Sequence, residues 1–142
     1  MKVAYNNCFG GFSLSTLATT EFAKKKGIDL TWYEQTGYKH EGNEEYKKIE
    51  GASEKNGMGV FSLTKDHGDV INEVPNDDYY YPDFYKDDSR ADPDLIEVIE
   101  RLGEKADGFC ASLAIKEIPD NSEFEITEYD GNEDVVPPRM SW

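Results

Sequence analysis

The stretch that most restricts how this chain can fold is Asp92-Pro93-Asp94-Leu95 and the apolar series after it, Leu95, Ile96, Val98, Ile99 and Leu102. Asp92 can accept from the free amides of a first helical turn, and Pro93 occupies the position where a missing N–H costs nothing. The apolar residues form one stripe with Glu97, Glu100 and Arg101 opposite, so the helix has to lay that stripe against another layer, here a sheet. The same reasoning predicts a helix upstream. Ser13 or Ser15 can cap it, Leu14, Leu17, Ala18 and Phe22 recur at helical spacing, Lys24, Lys25 and Lys26 suit its C-terminal end, and Gly27 can stop it.

Around these helices the sequence predicts short strands. Residues 3–5 begin one and residues 30–36 carry the β-branched and aromatic residues of another, so the opening reads as a β-α-β crossover. Residues 37–57 are polar and lack apolar periodicity, which predicts a loop with one helical turn around Tyr46 and Ile49. Residues 58–63 and 69–74 read as a hairpin closed by Asp66-His67-Gly68-Asp69. Residues 113–118 and 123–129 read as two strands joined by Pro119-Asp120-Asn121-Ser122, with Phe124, Ile126 and Tyr129 on the buried face. The ending, Val135 to Trp142, is too proline-rich for a ladder, and Trp142 is expected to dock on the domain or on a second copy, which leaves a homo-oligomer open. The expected architecture is α+β, a mixed sheet with two main helices packed on one face, in the order β-α-β-β-β-α-β-β.

A chain of 142 residues is expected to form one domain, residues 1–142, and to bury enough apolar surface without metals or disulfides. Thirty acidic against fifteen basic residues leave a formal charge of −15. Such a charge repels nucleic acid and anionic lipid, so direct nucleic-acid binding is not expected. The carboxylates either keep the protein soluble or imitate a phosphate backbone for a basic partner. Cys8 and Cys110 are too few for a disulfide scaffold or a cysteine zinc site and point to a reducing cytoplasm. No apolar signal core opens the chain, and no run is long enough to span a bilayer, so neither secretion nor a membrane role is expected.

Two segments carry the candidate site. In the first, Asn6, Cys8, Phe9, Gly10, Gly11 and Phe12 join the first strand to the first helix, and paired glycines there can allow close approach of a ligand or another strand. The pattern lacks the Gly-Lys-Ser/Thr of a P-loop and the spacing of a dinucleotide fingerprint. Cys8 invites a nucleophile reading, but His40 and His67 sit in polar loops and no Cys-x-x-Cys occurs, which favours a structural thiol. The second segment, residues 75–91, is dominated by Asp and aromatic residues. Its Tyr80, Phe84 and Arg90 could stack a planar group and pair with an anion, or fold back onto the domain. Asp130-Gly131-Asn132-Glu133-Asp134 looks cation-friendly but does not match an EF-hand, and no metal or cofactor is expected.

Three segments together resemble a widespread family of small uncharacterised bacteriophage proteins. They are Asn6-Asn7-Cys8-Phe9-Gly10-Gly11-Phe12-Ser13-Leu14-Ser15, the helix from Asp92-Pro93-Asp94-Leu95-Ile96-Glu97-Val98-Ile99-Glu100-Arg101-Leu102 to Gly108, and the residues from Leu113 through Glu117-Ile118-Pro119-Asp120 to Phe124-Glu125-Ile126-Thr127-Glu128-Tyr129-Asp130-Gly131. The resemblance covers about a third of the chain and implies a viral protein made in the host bacterial cytoplasm. It carries over no catalytic residue. Family members end in a His-Arg-Thr-Trp-like tail, whereas this chain has Pro138-Arg139-Met140-Ser141-Trp142, with Arg139 the remaining candidate contact there.

These features lead to the expectation of a non-catalytic accessory protein that binds a host component during takeover or counter-defence. The partner is either a host protein met through the acidic surface or a small nucleotide-like signal held between the glycine loop and Arg90. The rival expectation is a hydrolase using carboxylates or Cys8.

Overall fold

The computed structural model describes residues 1–37, 44–49, 60–84 and 86–137. Helix α2 (Pro93–Leu102) begins as its sequence dictates: the Asp92 side chain accepts from the Asp94 amide at 2.9 Å, Pro93 takes the first helical position, and Gly103 ends the helix at φ +59°. Leu95, Ile96, Val98 and Ile99 are buried against Ala4 of strand β1 (Lys2–Asn6), Ala18 and Phe22 of helix α1 (Thr16–Lys25), and Ala106. Burying four such side chains contributes on the order of 10 kcal/mol before chain entropy is counted.

Of the two candidate caps for α1, Ser15 does the capping. Its hydroxyl accepts from the Ala18 amide at 3.0 Å and donates to the Lys105 carbonyl at 2.6 Å, so the cap also ties α1 to the segment after α2. Lys26 pairs with Asp92 and Asp94, Lys25 with Glu97, and Arg101 with Glu21. This order of partners makes the two helices antiparallel. Exposed pairs of this kind are each worth about 0–1 kcal/mol, so they select orientation while the apolar stripe supplies the stability.

The class is α+β: the described residues hold two α-helices, and every strand ladder among them is antiparallel. Pairing is divided among three sheets. Strand β1 pairs with β6 (Leu113–Glu117), Lys2 facing Glu117 and Asn6 facing Leu113. The helices pack on this pair, with Leu113 and Ile115 joining their cluster. A second sheet has the order β4 (Val60–Leu63), β2 (Thr31–Gly37), β3 (Glu45–Ile49), β5 (Val70–Ile71). Its own core is Tyr33, Tyr46 and Leu63, with Phe61 lying against both tyrosine rings at 5.9 and 5.1 Å. The third sheet is the hairpin of β7 (Glu125–Tyr129) and β8 (Asn132–Val136). No described helix is long and apolar enough to cross a membrane.

Several pairings differ from the sequence expectation, each for a physical reason. The β-α-β crossover does not form, because β1 and β2 lie in different sheets. Residues 45–49 are a strand and not a helical turn; only Tyr46 and Ile49 are apolar there, too few to display a period, yet Tyr46 is buried. Strands β4 and β5 share a sheet on opposite edges and do not form a hairpin. The buried Tyr33 phenol receives the His67 amide at 3.0 Å and donates to the Gly68 carbonyl at 2.8 Å, drawing the intervening loop across the sheet end. The turn at Pro119 forms, with the Ser122 amide on the Pro119 carbonyl, but β6 turns to β1 and β7 to β8. The β7–β8 link is Asp130-Gly131, both at positive φ (+50° and +85°), the conformation that suits the twist of a two-residue hairpin. It brings residues 132–136 into a ladder despite the prolines that follow, and it leaves Tyr129 74% exposed instead of buried.

Candidate functional site

The glycine segment is a packing corner. Gly10 stands at φ +142°, and a Cβ on it would lie 2.3 Å from the Cys110 carbonyl oxygen. A Cβ on Gly131 would lie 2.3 Å from the Gly11 nitrogen. The Gly10 amide bonds the Asp130 carbonyl at 3.2 Å, and the Gly108 amide bonds the Ser13 carbonyl at 3.0 Å. Three stretches of backbone therefore meet where side chains are excluded. The recess above Gly10 and Gly11 is lined by Glu128, Asp130 and Glu133, which disfavours a phosphate there.

Asn6 is fully buried beneath this corner. Its side-chain amide donates to the Cys8 carbonyl at 2.7 Å and the Gly131 carbonyl at 2.8 Å, its side-chain oxygen accepts from the Ser112 amide at 2.9 Å, and its main-chain amide donates to Glu133 at 2.9 Å. Every stretch that meets at the corner is thereby fixed through one side chain, which makes Asn6 a structural hub. Cys8 is half-buried, its thiol pointing at the Cys110 and Phe9 carbonyls at 3.2 and 3.3 Å, neither of which is a base. Phe9 is exposed and meets Tyr129 edge-on.

Arg90 is only 2% exposed. Its Nη1 and Nη2 donate to the two carboxylate oxygens of Glu133 at 2.7 and 3.0 Å, its Nε donates to the Phe84 carbonyl at 2.6 Å, and its guanidinium lies 3.7 Å from the centre of the Phe12 ring. The fork of Arg90 is thus matched to a carboxylate and clamps the Tyr-rich segment to β8 and the glycine corner.

Beside this clamp lies a cleft of about 290 Å³. Both segments singled out in the sequence contribute to its wall: Phe12, Ser13 and Leu14, which follow the paired glycines, and Tyr79 to Pro82, Phe84 and Arg90, with Phe12 touching Phe84 and Arg90. Thr16 and Thr19 of α1, Trp32 of β2, residues 60–62 of β4 and Phe109 complete it. The Trp32 indole donates to Thr20 at 2.8 Å, holding the second sheet against α1, and the Tyr80 amide bonds the Ser62 carbonyl at 3.0 Å. Burial, opposed by Lys26 and aided by Asp92, pushes the Tyr80 phenol above its ordinary range, so the ring stays neutral. Tyr79 and Tyr81 stack at 6.2 Å and 14° on the rim, where Phe109 is 64% exposed.

Of the candidate residues, Phe12, Tyr80, Phe84 and Arg90 converge on the cleft. Asn6, Cys8, Phe9, Gly10 and Gly11 do not line it, and Arg139 and His40 lie outside the described residues. His67 is bonded to Asp78 at 2.8 Å. Among the described residues no group of three or more His, Cys, Asp or Glu is arranged to hold a metal ion, and Asp130 to Asp134 form a turn and a strand. Trp32, Phe61 and Phe109 were not singled out as site residues by sequence reasoning, and Glu133 was noted only within the cation-friendly run 130–134, not as the partner of Arg90. Only the Asp-Gly turn signal ahead of Glu133 could have pointed to its position. Fold and cleft together define a small α+β protein with an aromatic-walled cavity. No protein-family model, curated protein or solved structure matches this chain.

Proposed function

We propose that the protein acts by binding and not by catalysis, as a phage accessory protein whose aromatic cleft receives a host component in the bacterial cytoplasm. One observation carries this reading: Phe12 to Leu14, directly after the paired glycines, and the Tyr-rich segment, about 70 residues apart in sequence, line one cleft. Its lining is mainly aromatic with a few hydroxyls, a composition suited to recognition. A hydroxyl nucleophile needs a positioned base, and the described lining contains hydroxyls but no His, Asp, Glu or Cys.

Affinity purification from the bacterial host tests it. Tyr81→Ala and Phe109→Ala alter exposed rim residues and should abolish capture of the partner, while Tyr129→Ala, exposed but outside the cleft wall, should leave it intact. Equal capture by all three variants would remove the cleft from the function.

A further inference from the structure

We propose that the cleft takes a cationic side chain, the guanidinium or ammonium of a positively charged segment on a partner protein. This rests on the cleft being the binding site, and it adds the charge of what enters. The first ground is the wall: Tyr79, Tyr81 and Phe109 line the cleft and are exposed, Tyr79 and Tyr81 as a stacked pair, and aromatic rings attract a cation through their quadrupole.

The second ground is the fate of Arg90. It is the one cationic residue among the described lining, and Glu133 engages it through both carboxylate oxygens. The clamp is neutral as a unit. An anion entering the cleft therefore meets no uncommitted cationic partner in the described wall, and a cation meets no uncompensated positive charge. The same wall already holds one guanidinium on a ring, Arg90 over Phe12 at 3.7 Å.

Charge complementarity gives the third ground. A chain of net charge −15 draws a basic partner and repels an anionic one over roughly a Debye length, about 8 Å at physiological salt. Within the cleft, the hydroxyls of Thr19 and Ser13 donate to the Ser15 and Phe109 carbonyls and keep lone pairs able to accept from an incoming N–H. A volume of about 290 Å³ lies at the small end of ligand cavities and suits one long side chain better than a dinucleotide.

The test uses the full chain, isotopically labelled, titrated with a short Lys-Arg-Lys peptide, with the same peptide carrying citrulline in place of Arg, and with phenyl phosphate. Citrulline keeps the planar shape and removes the charge. The arginine peptide should shift the Thr19, Trp32 and Tyr80 resonances and bind about tenfold more tightly than the citrulline peptide, with phenyl phosphate leaving them unmoved. Raising salt from about 0.05 to 0.5 M should weaken the arginine peptide several-fold. Tyr81→Leu and Phe109→Leu, which remove exposed rings without opening the core, should lower its affinity while leaving the melting temperature unchanged.

Equal affinity for the citrulline peptide, shifts with phenyl phosphate, or no shift in the cleft with the arginine peptide at millimolar concentration would each overturn the inference. None of these outcomes by itself removes the binding function, which fails instead if host capture is indifferent to the rim variants.

Discussion

Replacing Arg90 by Met asks whether the Arg90–Glu133 clamp is the structural keystone its geometry describes. Arg90 is 2% exposed and makes three donor contacts, at 2.6, 2.7 and 3.0 Å. Met fills most of the same space over Phe12 but leaves the Glu133 carboxylate buried with the Asn6 amide as its remaining donor among these contacts. Leaving one member of a buried pair uncompensated costs about 3–5 kcal/mol. Small domains are stable by only about 5–15 kcal/mol, so the midpoint of urea unfolding should fall by roughly a fifth or more, and the melting temperature by roughly 10 °C.

The double variant Arg90→Met with Glu133→Leu separates charge from packing. It removes both charges, and apolar replacement of a buried pair is often neutral or stabilising. It also orphans the Asn6 amide, a loss of about 1–3 kcal/mol. The double variant should therefore be more stable than Arg90→Met alone by roughly 1–3 kcal/mol while remaining below the parent. If Arg90→Met unfolds within about 1 kcal/mol of the parent, the guanidinium is not a structural clamp, and its availability to ligands has to be reconsidered.

Further predictions follow from the corner, the second sheet and the thiols. Gly10→Ala should cost about 3 kcal/mol because its Cβ meets the Cys110 backbone, whereas Gly11→Ala, at φ +96° with open space around it, should cost only about 1–2 kcal/mol; paired urea titrations check the difference. The Tyr46 phenol is pushed up to about 12 by its 2.6 Å hydrogen bond to Glu44, aided by burial and by the Glu44 charge. The native state then holds this proton more tightly than the unfolded chain, whose tyrosines titrate near 10.0, so its stabilising contribution is complete below pH 10 and lost as pH rises towards about 12. Ultraviolet titration should show a tyrosinate that forms near pH 12 and is moved to lower pH by Glu44→Gln. Iodoacetamide should modify the exposed Cys110 before the half-buried Cys8, with the order read by peptide mass mapping.

Both helices, their capping residues and the stripe of α2 were legible in the sequence, because capping chemistry and helical period act over a few neighbouring residues and need no distant partner. The same holds for the turn at Pro119 and for the importance of the Gly10 and Arg90 segments. Strand partnership was not legible. Strand β3 presents only Tyr46 and Ile49 as apolar signals, and β8 precedes prolines, so nothing local distinguishes either from a loop.

The site divides in the same way. Sequence alone determined that glycines would be needed after β1 and that Arg90 sits among aromatic residues. That Arg90 points at a carboxylate 43 residues away was decided by the Asp130-Gly131 turn, which folds β8 back and presents Glu133 to β1. The cleft itself exists only because Trp32 and β4, members of a separate sheet, close over the end of α1. Local backbone preference specifies elements; the enclosure of a cavity depends on long-range burial, which sums many weak contacts that no short stretch of sequence contains.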